Sequence, residues 1–153
     1  MTRVALIIGY GNPLRSDDGV GQAVARAFAA EAAVDGVETV SCRQLTPELA
    51  ERFAAADRVV LVDAAAGLAP GGVRITRLQA AAALSAAFGH HVDPRELLHM
   101  SGKLYGRSPE AFLVTVGASS LALGEGLSAP VAAALPEVVA TVRRLALAPS
   151  PSD

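Results

Sequence analysis

The run Val4 to Ile8 leads without a break into Gly9-Tyr10-Gly11-Asn12-Pro13-Leu14-Arg15-Ser16-Asp17-Asp18-Gly19, after which Val20, Val24, Ala27, Phe28 and Ala32 recur at helical spacing. A short aliphatic run followed by a glycine-rich turn and an amphipathic helix is a βα unit, in which the strand is buried on both faces. Such units commit a chain to an α/β architecture with a mainly parallel sheet. The turn between strand and helix lies at the carboxyl end of the strand, where α/β proteins bind ligands, so Asp17 and Asp18 stand where chemistry is expected.

The same grammar repeats along the chain. Val37 to Ser41 reads as a second strand, and Thr46-Pro47-Glu48-Leu49 opens a helix to about Ala55 with Thr46 as N-cap and Pro47 at its first position. Arg58 to Asp63 is the clearest strand, a β-branched and aliphatic run ending in an acid and Ala64-Ala65-Ala66-Gly67. Pro70-Gly71-Gly72 turns into Val73 to Leu78, which alternates and suits an antiparallel edge, while Gln79 to Phe88 is ambiguous between helix and loop. Gly89-His90-His91-Val92 reads as a loop before a helix capped by Asp93 and ending at Tyr105-Gly106. Ala111 to Val116 is the last strand, and Gly117 to Ser128 loops into a final helix near Pro130 to Leu147. The expected fold is a three-layer α/β/α sandwich with a mostly parallel sheet of about five strands. It forms a single domain over 1–147 with a frayed tail over 148–153.

Composition narrows the function classes. Hydrophobic residues make up 52% of the 153 and charged residues 18%, yet no apolar stretch reaches the roughly 18 residues of a membrane span, so the hydrophobicity belongs to a core. The apolar run after Met1-Thr2-Arg3 is too short for a signal peptide and meets the Gly-Asn-Pro turn without a cleavage site, so the expected location is cytoplasmic and no membrane partner is expected. With 13 basic and 15 acidic residues, the net charge of −2 provides no drive towards nucleic acid. Cys42 is the only cysteine, which excludes an internal disulfide and a thiolate-rich zinc site.

Asp18 follows the first strand, Asp63 ends the third and His90 precedes the Asp93-Pro94 helix, so three loops can meet at one sheet edge. Two carboxylates and an imidazole suit a borderline divalent ion such as nickel or zinc. Each residue also has an ordinary structural role open to it. Asp17 and Asp18 could cap the helix that follows, Asp63 could bind loop amides, and His90, His91 and His99 could be solvated or packing residues. A dinucleotide site is disfavoured because Leu14 occupies the third glycine position, and His-Glu-x-x-His, a P-loop and a nucleophile elbow are all absent. Cys42, on a strand beside Arg43, reads as a small packing residue rather than a nucleophile.

The motif Gly9-x-Gly11-Asn12-x-Leu14-x-x-Asp17-Asp18-Gly19-x-Gly21 resembles the opening of the hydrogenase maturation proteases, which trim the C-terminus of the NiFe-hydrogenase large-subunit precursor. The resemblance continues through Gln44 to Leu49, Asp63-Ala64, His90 with Glu96-Leu97-Leu98, Leu104-Tyr105-Gly106 and Gly124 to Ser128, nearly the whole chain. It implies an endopeptidase that acts after nickel insertion, with Asp18, Asp63 and His90 as both catalytic and metal-binding residues, the nickel being carried by the substrate. Some relatives place Glu where this chain has Asp18, which shortens the reach to a metal by one methylene. The other function considered is a non-catalytic nickel-binding accessory protein using the same three residues.

Overall fold

A computed structural model of the protein describes residues 4–31, 36–86 and 92–149. Five strands form one sheet in the order β2-β1-β3-β5-β4, where β1 is Ala5–Tyr10, β2 Val37–Cys42, β3 Arg58–Ala65, β4 Val73–Leu78 and β5 Glu110–Gly117. β2, β1, β3 and β5 run parallel, and β4 joins antiparallel at the edge, as its alternating sequence predicts. Between β1 and β3 the strand order changes direction: the chain builds outward to β2 on one side and to β3, β5 and β4 on the other. Such a switch point leaves a crevice at the carboxyl ends of the two strands.

The helices are α1 (Val20–Ala30), α2 (Leu49–Ala55), α3 (Pro94–Tyr105) and α4 (Ala129–Leu147). Successive strand residues point to opposite faces, and the strands are apolar on both. Ile7, Val60, Val62, Val114 and Val116 pack with Val20, Val24 and Phe28 of α1 and Val131, Val138 and Val142 of α4. Leu6, Ile8, Val59 and Leu61 pack with Leu49 and Phe53 of α2 and Leu97 and Leu98 of α3. The two clusters make the sheet the middle of three layers, the expected α/β/α sandwich.

Local differences from the sequence reading have physical reasons. The helix expected after Gly19 begins at Val20, following a 3-10 turn over Ser16–Gly19, and runs to Ala30, with Glu31 in extended conformation. Thr46 is not the N-cap of α2. The amides of Leu49, Ala50 and Glu51 bond the carbonyls of Thr46, Pro47 and Glu48, so a tight i→i+3 turn stands where an α-helical first turn is expected, and Glu48 takes the cap position. The described part of the ambiguous Ala-rich segment, up to residue 86, contains neither helix nor strand. Asp93 does cap α3, in a reciprocal capping box with Glu96, and Gly106 ends that helix at φ 75°.

Two glycines set how closely α1 approaches the sheet. A Cβ on Gly9 would lie 1.9 Å from the Gly21 carbonyl oxygen, and one on Gly21 would lie 2.3 Å from the Val62 oxygen and 2.7 Å from that of Tyr10. The backbone of α1 therefore rests directly on the ends of β1 and β3. Gly9→Ala is expected to lower unfolding free energy by about 3 kcal/mol or more, because rigid backbone must move to admit the methyl. Gly67→Ala, with nothing within 4 Å of its Cβ, is expected to stay within about 0.5 kcal/mol of the parent in urea denaturation.

Candidate active site

The acid turn after β1 is held by its own backbone and by a loop far along the chain. Asn12 accepts from the Leu14 amide through Oδ1 at 3.0 Å, an Asx turn that folds the segment back on itself. Gly11 adopts φ 139° and has the Asp18 carbonyl oxygen 2.0 Å from where a Cβ would stand, so only glycine fits. Ser16 takes φ 52°, uncommon for a residue with a side chain, and is fixed there by a bond from its amide to the Gly124 carbonyl and from its hydroxyl to the Ala122 carbonyl.

The neighbouring acids have different fates. Asp17 is fully buried and accepts four hydrogen bonds: from the amides of Ser119, Ser120 and Ser128 at 2.8, 3.0 and 2.7 Å, and from the Ser128 hydroxyl at 2.8 Å. Burial, the largest single influence, would raise its pKa. The Ser128 amide and hydroxyl, with the Ser120 and Ser119 amides, together outweigh it and hold the carboxyl below its ordinary value. Neither acid caps a helix: the 3-10 turn and α1 lack side-chain caps. Asp17 instead ties the acid turn to the loop between β5 and α4, while Asp18 accepts from the Asn12 amide at 2.7 Å through Oδ2.

Asp63 enters from the other side of the switch point. The β1–β3 pairing ends at Gly9↔Val62, so Asp63 is the first β3 residue beyond it, while β3 itself continues along β5 to Ala65↔Gly117. Its side chain projects on the face of Val59 and Leu61, the α2 and α3 side of the sheet. The Ala64 amide donates to Oδ1 at 2.8 Å, and Tyr10, one step past the last β1–β3 pair, is the strand neighbour whose phenol influences the carboxylate. Burial pushes the Asp63 pKa from its ordinary 3.8 to about 6; the Asp18 charge adds to the rise, and the Ala64 amide and the Tyr10 phenol oppose it. The two acids that the sequence singled out thus sense each other across the crevice.

His90 and His91 lie outside the described residues. Among the described residues no group of three His, Cys, Asp or Glu is placed to hold a metal. His99 contacts the Ala81 carbonyl through Nδ1 at 2.9 Å, the packing role expected of it. Cys42 is half-buried at the end of β2, where burial raises its thiol pKa, in keeping with a packing residue. Sequence reasoning missed Tyr10, whose only signal is its two-residue step from Leu6 and Ile8 onto the face that Asp63 also uses. It also missed buried Gln22, which donates to the carbonyls of Gly11 and Cys42 at 2.8 and 3.0 Å and locks the ends of β1 and β2 beside the turn.

Comparison with solved structures places the fold. The hydrogenase maturating endopeptidase HybD from Escherichia coli is similar over 92% of this chain and 93% of its own, with 27% identity and a TM-score of 0.71. The NiFe hydrogenase maturation proteases HycI and HybD from Thermococcus kodakarensis share the fold at 23% and 24% identity, with TM-scores of 0.74 and 0.70. HycI is covered over 93% of this chain and 91% of its own, HybD over 94% and 99%. No protein-family model and no curated protein matches the chain. The resemblance read from the sequence therefore holds in three dimensions: several structural neighbours are hydrogenase maturation proteases, matched over nearly the full length.

Asp17 and Asp63 predict opposite pH effects. A carboxyl held below its ordinary pKa stabilises the fold above that value and loses the contribution as pH falls, so Asp17→Ala should cost about 3 kcal/mol or more at pH 7 and less in acid. A carboxyl raised to about 6 favours the fold less as pH climbs from about 4 to 6, and carries a burden on the order of 2–3 kcal/mol above that window. Asp63→Asn is therefore expected to melt several degrees above the parent at pH 7.5, with the gap closing as pH falls below about 4. A variant that melts below the parent at pH 7.5 would show that the Asp63 charge stabilises the fold.

Proposed function

We propose that this peptide hydrolase removes the C-terminal extension of a NiFe-hydrogenase large-subunit precursor once nickel has been inserted. The observation that carries the reading is the pair Asp18 and Asp63, facing each other across the switch point of a fold shared at 27% identity with the Escherichia coli endopeptidase. In this reading Asp18, Asp63 and His90 bind the nickel held in the precursor, which fits a site that offers oxygen and nitrogen but no thiolate. The substrate supplies the ion, and the protein supplies the test for its presence.

Hydrolysis then needs a water oriented towards the scissile carbonyl carbon. Its oxygen adds to that carbon while its proton passes to a carboxylate, and the same proton reaches the amide nitrogen as the C–N bond breaks. Asp63 suits this step: the burial that raises its pKa to about 6 in the metal-free protein makes it more basic than an ordinary aspartate, and a coordinated nickel ion would lower that basicity. With Asp18, Asp63 and His90 holding the precursor's nickel, that ion would supply Lewis-acid stabilisation of the charge developing on the carbonyl oxygen.

Incubation with nickel-loaded and nickel-free precursor, followed by mass spectrometry of the C-terminus, tests the reading. Only the loaded precursor is expected to be shortened. Binding without shortening would instead identify a nickel-binding accessory protein, and equal cleavage of both precursors would remove metal recognition from the mechanism. Asp18→Asn is expected to abolish cleavage with little change in melting temperature, since the amide keeps the shape of the carboxylate and removes its charge.

The two loop histidines separate in the same assay. His90→Ala should lose nickel-dependent cleavage and His91→Ala should largely retain it, because His90 stands six residues before Glu96, the register that the family resemblance assigns to the loop ligand. Recognition should weaken as pH falls through a histidine pKa of about 6.5, since the neutral ring is the ligand. Loss in His91→Ala alone would move the ligand by one residue.

A further inference from the structure

We propose that Leu14, Leu121 and Leu123 form an apolar docking surface for the precursor protein at the rim of the acid turn. The inference rests on the reading above and extends it to where the body of the substrate is held. The three leucines are 48%, 39% and 78% exposed, whereas Leu127, on the same loop between β5 and α4, packs against the core. Backbone contacts bring the three together. Arg15 and Gly124 form a parallel bridge, closed by bonds from the Gly124 amide to the Leu14 carbonyl and from the Ser16 amide to the Gly124 carbonyl, both 2.8 Å. Leu14 and Leu123, the residues before the two bridge members, therefore lie on neighbouring backbone. The Arg15 guanidinium reaches the Leu121 carbonyl at 3.4 Å.

A single exposed leucine is ordinary, but several grouped on a fixed support mark a contact surface. Connecting loops are usually the mobile part of a fold. This one is tethered by the bonds of Ser119, Ser120 and Ser128 to buried Asp17, by the Ser16 hydroxyl on the Ala122 carbonyl at 2.8 Å, and by the Arg15–Gly124 bridge. The tethers hold the backbone and leave the leucine side chains in water, where they add little to the core. A loop needed only to join β5 to α4 would be served as well by polar residues. Apolar groups already held in place before contact lose less conformational freedom on association.

The place of the patch identifies its occupant. Leu14 belongs to the same turn as Asp18, and the Asn12 amide that bonds Asp18 lies just before it in the chain. The acid turn and the Ser119–Ser128 loop leave the carboxyl ends of the parallel strands β1 and β5, so the leucines stand on the crevice edge of the sheet. A protein whose scissile segment enters that crevice meets them at its rim. Leu104, 61% exposed, lies near the end of α3, and a helix following a parallel strand returns to the opposite edge of the sheet. The face that fits the patch is an apolar surface of the precursor beside its nickel-bound region. The protein then holds its substrate through these leucines and reads the ion through the acids.

The double variant Leu121→Ser with Leu123→Ser removes most of the patch and leaves the acids and the loop's tethers in place. With nickel-loaded precursor it is expected to show KM raised about tenfold or more and kcat within about twofold of the parent, at a melting temperature within a few degrees. Leu104→Ser, at the far edge, should leave KM unchanged. In methyl-labelled protein, added precursor should shift or broaden the signals of Leu14, Leu121 and Leu123 and spare that of Leu104. A parent that cleaves and a double variant of unchanged KM would overturn the docking surface alone, as would unmoved methyl signals. A parent that cleaves no precursor would overturn the hydrolase reading, and the methyl signals would then decide the docking surface by themselves. Dimerisation of the parent in sedimentation, lost in the double variant, would assign the patch to a second copy of the chain and overturn the proposal.

Discussion

Direct backbone contact between α1 and the carboxyl ends of β1 and β3 sets the rest of the site. Gly9 and Gly21 allow it, because a methyl group at either position would overlap a carbonyl group of the facing element. With the helix seated this low, the 3-10 turn at its start lies over the end of β1, and Gly11 admits the Asp18 carbonyl against its own Cα. The strand-to-helix turn thus becomes a fixed shelf at the switch point. A glycine-rich motif of this form needs no bound nucleotide to account for it; the glycines are required by packing between the chain's own elements.

Around that shelf, carboxylates on different elements are pushed in opposite directions by their surroundings. Asp17 is buried among amide and hydroxyl donors that outweigh its desolvation, and it joins the turn to a loop more than one hundred residues away in sequence. Asp63 lies near the opposite limit: burial and the Asp18 charge outweigh the opposing Ala64 amide and Tyr10 phenol and leave its ionised form raised in free energy. A divalent cation between Asp18 and Asp63 would relieve both the repulsion and the desolvation.

Much of this is legible in the residues. The aliphatic runs mark β1, β3 and β5, the alternation in Val73–Leu78 marks an antiparallel edge, and Asp93 before Pro94 marks the cap of α3. Asp18 and Asp63 are legible as a pair because each follows an apolar strand, and parallel strands place such ends together. The partners of Asp17 are not, since nothing local to Asp17-Asp18-Gly19 reveals that Ser119, Ser120 and Ser128 will surround the first acid. A helix cap is the cheaper local use of such an acid, and long-range donors displace it. Gln22 escapes for a similar reason: its bonds to the Gly11 and Cys42 carbonyls depend on how α1 meets the ends of β1 and β2, fixed by assembly and not by the motif around it. The start of α2 differs because Pro47 fits a tight i→i+3 turn as readily as an α-helical one.

The central claim is that Asp18 and Asp63 face a single cation at the β1–β3 switch point. Nickel added to isotopically labelled protein broadens the resonances of nuclei near the paramagnetic ion, so its position can be read residue by residue. The account predicts broadening centred on the amides of Tyr10 to Asn12, Asp18 and Asp63 to Ala64, abolished together by Asp18→Asn or by Asp63→Asn. Broadening centred elsewhere, or surviving in both variants, would contradict it.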